Sequence, residues 1–393
     1  MNQNTRDVDN PTPSNPIHEI CNTVVISQQR QHRVAYLDLL RVLACLMVVL
    51  SHSCDPFVGK LDTNLVDFTN GSFWGSLQRA CVPLFVMISG ALLLPIKDTT
   101  KDFYKRRMTR VLYPFLFWAI VTPILFYLFT MGRPDFPQRS IDSLPAVFKS
   151  IITLPLNFND ATVPLWYIYM LIGLYLILPM ISPWVEKAGK KGLQVYLGIW
   201  GVTLLLPYAG YLLQGIGYDN KGLLGICDWN STGTLHYFSG FLGYMLLGHY
   251  LRTYPFSWSG LKTIAITIPV FILSFLATFW GFTHVPKEVP MLEMIWYYTN
   301  INVCLMTASL FVLLQRVEFK SEKTKLFWRQ MSIWSFGIFL CHFTIVQNVF
   351  LWVDTWAVSS FLKIPSIALI SFGLATVVTA LLYRLPFRKY IIG

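Results

Sequence analysis

Charge is what this chain has little of. Only 13% of its residues are Asp, Glu, Lys or Arg, against about 25% in a soluble domain. That deficit excludes an ordinary water-facing surface over most of the length. Metal-type cysteine spacing is missing as well. Most of the seven cysteines lie inside apolar runs and none forms a C-x-x-C pair, so no metal or redox site is expected. There is no repeat of fixed period, no low-complexity tract and no soluble catalytic domain at either end. No apolar core lies near Met1, so no cleavable signal peptide is expected and the first apolar helix reads as a signal-anchor.

What is present is apolar surface. Hydrophobic residues make up 54% of the chain and aromatics 16%. Ten apolar stretches occur, at about 34–54, 73–95, 111–131, 161–181, 193–213, 233–251, 263–283, 291–314, 331–353 and 364–383. Each is near the ~20 residues that a helix needs to cross the hydrocarbon core. The expected fold is therefore an all-α integral membrane protein, about ten transmembrane helices in one bundle over 34–393. Residues 1–33 are polar and read as a disordered tail.

The net charge of +11 invites a nucleic-acid reading, but the basic residues sit in short loops between apolar runs rather than in a stripe on a soluble fold. With the N-terminus inside, 22 of the 31 Lys and Arg fall in inner segments and 7 in outer ones. This bias predicts cytoplasmic N- and C-termini in a lipid bilayer, with no nucleic-acid partner. Cys54 and Cys227 both fall on the outer side, and the sequence leaves open whether they pair.

The first apolar stretch carries ionisable residues at membrane depth: Asp38, Arg41 and His52, in DLLRVLACLMVVLSH. Arg41 and His52 are eleven residues apart, or three turns plus about 20°, so they share a face about 16 Å apart along the axis. Asp38 lies about 60° round on the same side, and Asp55 follows His52 by three residues. Such groups are costly in lipid and normally face the bundle interior or a wet cavity. The Leu, Val and Met of the opposite face suit lipid contact. A simpler reading makes Asp38 and Arg41 an interfacial ion pair with His52 snorkelling outward. Imidazole favours function, because it is the side chain suited to general-base work near neutral pH.

Other positions carry paired readings. Arg79, before Pro83 in the second stretch, is an interfacial anchor or a site residue. Gly90 permits close helix approach. Arg107 and Arg110 share a helical face and suit forked hydrogen bonds to phosphate, although inner-loop topology alone would also place them. His236, Glu293, Asn300, Asn302, His342 and Gln347 read first as helix-to-helix hydrogen-bonding groups. Trp166 reads first as a belt aromatic.

Arg41-x10-His52 after Asp38-Leu-Leu resembles the signature of the acyltransferase-3 family of bacterial membrane acyltransferases. RACVPLFVMISGALLL at 79–94, the Arg107-x-x-Arg110 pair, LWYIYMLIGLYLILPMI at 165–181 and SFGIFLCHFTIV at 335–346 are similar to further family motifs, in order. Relatives often have His-Leu-Trp where this chain has Pro164-Leu165-Trp166. The resemblance implies a bacterial inner-membrane O-acyltransferase. Its co-substrate would be acyl-CoA, most often acetyl-CoA, with no bound cofactor. Its acceptor would be a hydroxyl of a cell-surface or lipid-linked glycan. Arg107 and Arg110 would hold the CoA phosphates. His52 would deprotonate the acceptor or take the acyl group itself. Arg41 would position the donor or stabilise its developing charge, and Asp38 or Asp55 would orient these groups. Arg79, Trp166, Glu293 and His342 would meet the acceptor or support the site. No hydrolase-like domain follows the last stretch, so the membrane domain is expected to meet the acceptor directly. Two other classes stay open: a secondary transporter using the same Arg and His, and a glycan polymerase or ligase.

Overall fold

The structure, a computed structural model, describes residues 16–131, 141–154, 156–218, 223–284 and 294–393, the side chains of 16–34, 160 and 161 excepted. It is helical, and no strand occurs among the described residues. The helices are α1 (Pro16–Val58), α2 (Leu65–Leu77), α3 (Cys81–Leu93), α4 (Thr100–Thr130), α5 (Leu144–Thr153), α6 (Trp166–Thr203), α7 (Leu206–Gly215), α8 (Leu242–Thr253), α9 (Gly260–His284), α10 (Ile301–Leu314), α11 (Glu322–Asp354), α12 (Ser360–Leu382) and α13 (Arg388–Ile391). Eight helical runs among the described residues are long and apolar enough to cross a membrane.

The difference between eight runs and ten apolar stretches has a local cause. The stretches at 161–181 and 193–213 form one run, Thr162–Gly215, of 54 residues. At 1.5 Å per residue this far exceeds one bilayer. It bends at Gly189, whose φ of 59° an L side chain rarely adopts. The stretch at 233–251 forms a 3₁₀ turn over Gly233–Phe238 and then α8, whose 12 residues span about 18 Å, short of a full crossing. The backbone of α1 continues upstream of its apolar part, Ala35–Val58, into the segment read as a tail.

The second stretch, expected as one helix over 73–95, is broken at Gln78–Ala80 into α2 and α3. Pro83 has no N–H to donate to the carbonyl of Arg79, and it sits in the first turn of α3, where that loss is harmless. The helix thus restarts just before Pro83 and leaves Arg79 in the break. At the other termini, Asn64 accepts hydrogen bonds from the amides of Val66 and Asp67, and Thr99 caps α4 by accepting from Asp102.

α1 occupies the centre, packed against α2, α3, α11 and α12. Buried residues make up 61% of its apolar window, against 28% for α9 on the periphery. Its Leu, Val and Met face does not meet lipid as the sequence suggests. Leu40, Val49 and Met47 are buried among neighbouring helices. α3 and α8 approach closely. A Cβ on Gly90 would fall 2.0 Å from the carbonyl oxygen of Met245, and one on Gly248 would fall 2.0 Å from that of Met87. Cys54 and Cys227 are both free thiols, and Cys54 donates to the Leu50 carbonyl at 3.0 Å.

Candidate active site

Three arginines expected at the inner side converge on one cavity of about 130 Å³. Arg41 enters it from α1, and Arg107 and Arg110 from α4. Ser89 of α3, Tyr167 and Tyr175 of α6, and Ser332, Ser335 and Phe339 of α11 complete much of the wall. Helical spacing puts Arg107 and Arg110 on one face. The neighbouring Arg106 ion-pairs with Asp98 instead. Arg41 donates from Nη1 to Ser332 Oγ at 3.2 Å. None of the residues lining the cavity is acidic. Asp38 is within electrostatic reach of Arg41, but the two make no ion pair among the described residues. Guanidinium groups gathered without counter-charge attract an oxyanion, and their forked N–H groups fit phosphate. The cavity has room for a phosphate-sized group or a narrow arm.

His52 lies at the far end of the same α1 stripe. Its Nδ1 is 2.8 Å from Asp55 Oδ2. The His52 side chain is 13% exposed, whereas Asp55 is 51% exposed. A carboxylate only accepts, so in a neutral imidazole this bond places the proton on Nδ1 and leaves Nε2 with a lone pair. The His52 ring centroid is 5.3 Å from that of His342 and 5.0 Å from that of Phe343, which meets it edge-on. His342 is fully buried, and its Nδ1 lies 2.6 Å from the Phe339 carbonyl. That carbonyl can only accept, so His342 is also protonated on Nδ1. Its Nε2 has no hydrogen-bond partner among the described residues. The sequence suggested a helix-to-helix bond for His342; its bond instead stays within α11.

One side chain links the two ends. Phe339 lines the arginine cavity, and its ring lies 5.8 Å from His342 and 5.5 Å from Tyr167. The cavity therefore ends against the wall that carries the histidine pair.

The remaining candidates separate. Arg79 lies over the Trp296 ring at 4.2 Å and near the Tyr298 ring at 5.3 Å. Trp166 stacks on the same Tyr298, with centroids 5.7 Å apart. Asn302 serves as the helix-to-helix group expected, donating to Thr278 Oγ1 at 2.8 Å and accepting from Tyr208 Oη at 2.7 Å. Glu293 lies outside the described residues. Sequence reasoning passed over Ser332, which no motif marks, and quoted Tyr175 and Phe339 only as parts of longer motifs with no role of their own. The three-residue step from His52 to Asp55 was the available signal for that pair.

The family model for the acyltransferase domain matches residues 34–384. No curated protein and no solved structure matches the chain. The family match runs from within α1 through the end of α12, taking in both ends of the α1 stripe and all three cavity arginines. Over this helical bundle, it makes the chain a member of the acyltransferase-3 family and a membrane acyltransferase.

Proposed function

We propose that the protein moves an acetyl group from cytoplasmic acetyl-CoA to a hydroxyl of a cell-surface or lipid-linked glycan at the bacterial inner membrane. One observation carries this reading: an acid-free arginine cavity ends at Phe339, which also packs against the histidine pair. On this reading Arg107 and Arg110 bind CoA phosphates, and Arg41, held by Ser332, steadies the donor. His52 Nε2 removes the proton from the acceptor hydroxyl. The oxygen attacks the thioester carbonyl, the C–S bond breaks, and the proton passes from His52 to the departing thiolate. Asp55 supports the base role by holding the opposite ring nitrogen protonated, which leaves Nε2 to accept the proton. His342 supports the pair from within the bundle. Members of this length resemble the O-acetyltransferase of enterobacterial common antigen, which is consistent with a glycan acceptor.

The test uses purified protein in liposomes, [¹⁴C]acetyl-CoA and membrane glycans from a strain lacking the gene. Label should move to glycan with release of one CoA per acetyl group. CoA-independent uptake of solute into the vesicles, with no label on glycan, would overturn the proposal in favour of a transporter. Chain growth of the glycan without label would favour a polymerase.

A further inference from the structure

Arg79 is a cation without an anion. It makes no ion pair among the described residues, and its buried Nε has no hydrogen-bond acceptor. An interfacial anchor would direct its N–H groups at lipid headgroups. Here the guanidinium lies against aromatic rings, 4.2 Å from Trp296 and 5.3 Å from Tyr298. Contact through the face uses the π surface and leaves the in-plane N–H edge without an acceptor among the described residues. The aromatic layer is held from behind. Trp296 stacks on Phe282 at 3.7 Å and donates to Ser76 Oγ at 3.0 Å. Tyr298 stacks on Trp166 at 5.7 Å, with the rings 22° apart. Arg79, Trp166, Trp296 and Tyr298 are all half-buried, so the layer is fixed yet partly accessible. Gln78, one residue before Arg79, donates to Ser51 Oγ at 3.0 Å, and Trp166 meets Tyr167 edge-on, which places the layer beside the α1 turn that carries His52.

We infer that this layer is the acceptor subsite, and that it takes a sugar ring carrying an oxyanion. Trp166, fixed against Tyr298 and half-buried, offers an aromatic ring to the apolar C–H face of a pyranose. The free guanidinium edge suits a carboxylate or phosphate on that sugar, which supplies the missing counter-charge. The inference rests on the acyl-transfer reading for the purpose of the bound sugar, and its test reads binding separately from transfer.

The wild-type protein in nanodiscs is applied to immobilised saccharides of three kinds: neutral, uronate-bearing and phosphate-bearing. Retention should be at least tenfold stronger on one of the acidic kinds than on the neutral set, and which one identifies the anion. Arg79→Gln should abolish that preference while leaving acetyl-CoA binding unchanged. Trp166→Ala should weaken retention of acidic and neutral sugars alike. Arg79→Lys, which keeps the charge without the fork, should retain part of the preference and guards against misfolding in the first variant. Equal retention of neutral and acidic saccharides, no retention of any, or an unaltered preference in Arg79→Gln would each overturn the inference. If acidic sugars bind through Arg79 but receive no label from acetyl-CoA, the transfer reading fails and the subsite stands.

Discussion

The arginine cavity and the histidine pair share one helix and are built in opposite ways. The cavity gathers three guanidinium groups from two helices, gives Arg41 a serine hydroxyl as partner, and has no acidic residue in its wall. The histidine end has one carboxylate, two imidazoles and a wall of phenylalanine. Unbalanced positive charge at membrane depth is tolerable where an anion is to be held. A ring nitrogen opposite a carboxylate, with dry neighbours, suits proton transfer. On the proposed reading the contrast separates holding from reacting, and substitutions at the two ends should separate in the same way.

The widest separation should come from His52→Ala. Turnover should fall ~10²–10⁴-fold, the usual contribution of a positioned base, with donor KM and elution profile unchanged. Turnover above a tenth of wild type would move the chemistry elsewhere. Arg41→Ala removes the one cavity arginine on the α1 stripe, and kcat/KM for acetyl-CoA should drop at least ~100-fold, about the loss of charged hydrogen bonds. Arg110→Ala should raise the donor KM ~10–100-fold while saturating turnover stays within ~3-fold. An unchanged KM would dissolve the division between the ends. Asp55→Asn should lower turnover ~10-fold at constant donor KM, by loosening the His52 ring and its tautomer. A KM effect there would mean that the carboxylate acts on binding. The smallest change belongs to Ser332→Ala, where one lost hydrogen bond should raise the donor KM ~2–10-fold.

Periodicity accounts for much of the architecture and only part of the site. The apolar stretches fall on helices because a crossing segment must satisfy its own backbone. The eleven-residue step puts Arg41 and His52 on one stripe for geometric reasons alone. What surrounds that stripe is a matter of packing between distant segments, and helical spacing carries no information about it. Thus the opposite face of α1 looked lipid-facing, yet Leu40 and Val49 are buried in protein. Asp38 and Asp55 looked equivalent by spacing, yet only Asp55 bonds to a site residue. Arg107 and Arg110 were tied to Arg41 through family resemblance, since 66 residues separate Arg41 from Arg107. Ser332 lies 291 residues from Arg41, and no local pattern foretells their contact. The break at Gln78–Ala80 was legible in principle, because Pro83 frees the Arg79 carbonyl, and the consequence for Arg79 followed only once Trp296 was in place.

The reciprocal seating of Gly90 and Gly248 has a mechanical consequence. Each helix backbone rests where the other lacks a side chain, so sliding by even one residue would drive a Cβ into a carbonyl. α3 and α8 therefore behave as a welded beam. Ser89, at the arginine cavity, and the residues following Arg79, at the aromatic layer, ride on that beam together. If the donor is a CoA thioester as proposed, any widening that admits it must come from the cavity's other walls, on α1, α4, α6 and α11, rather than from this pair.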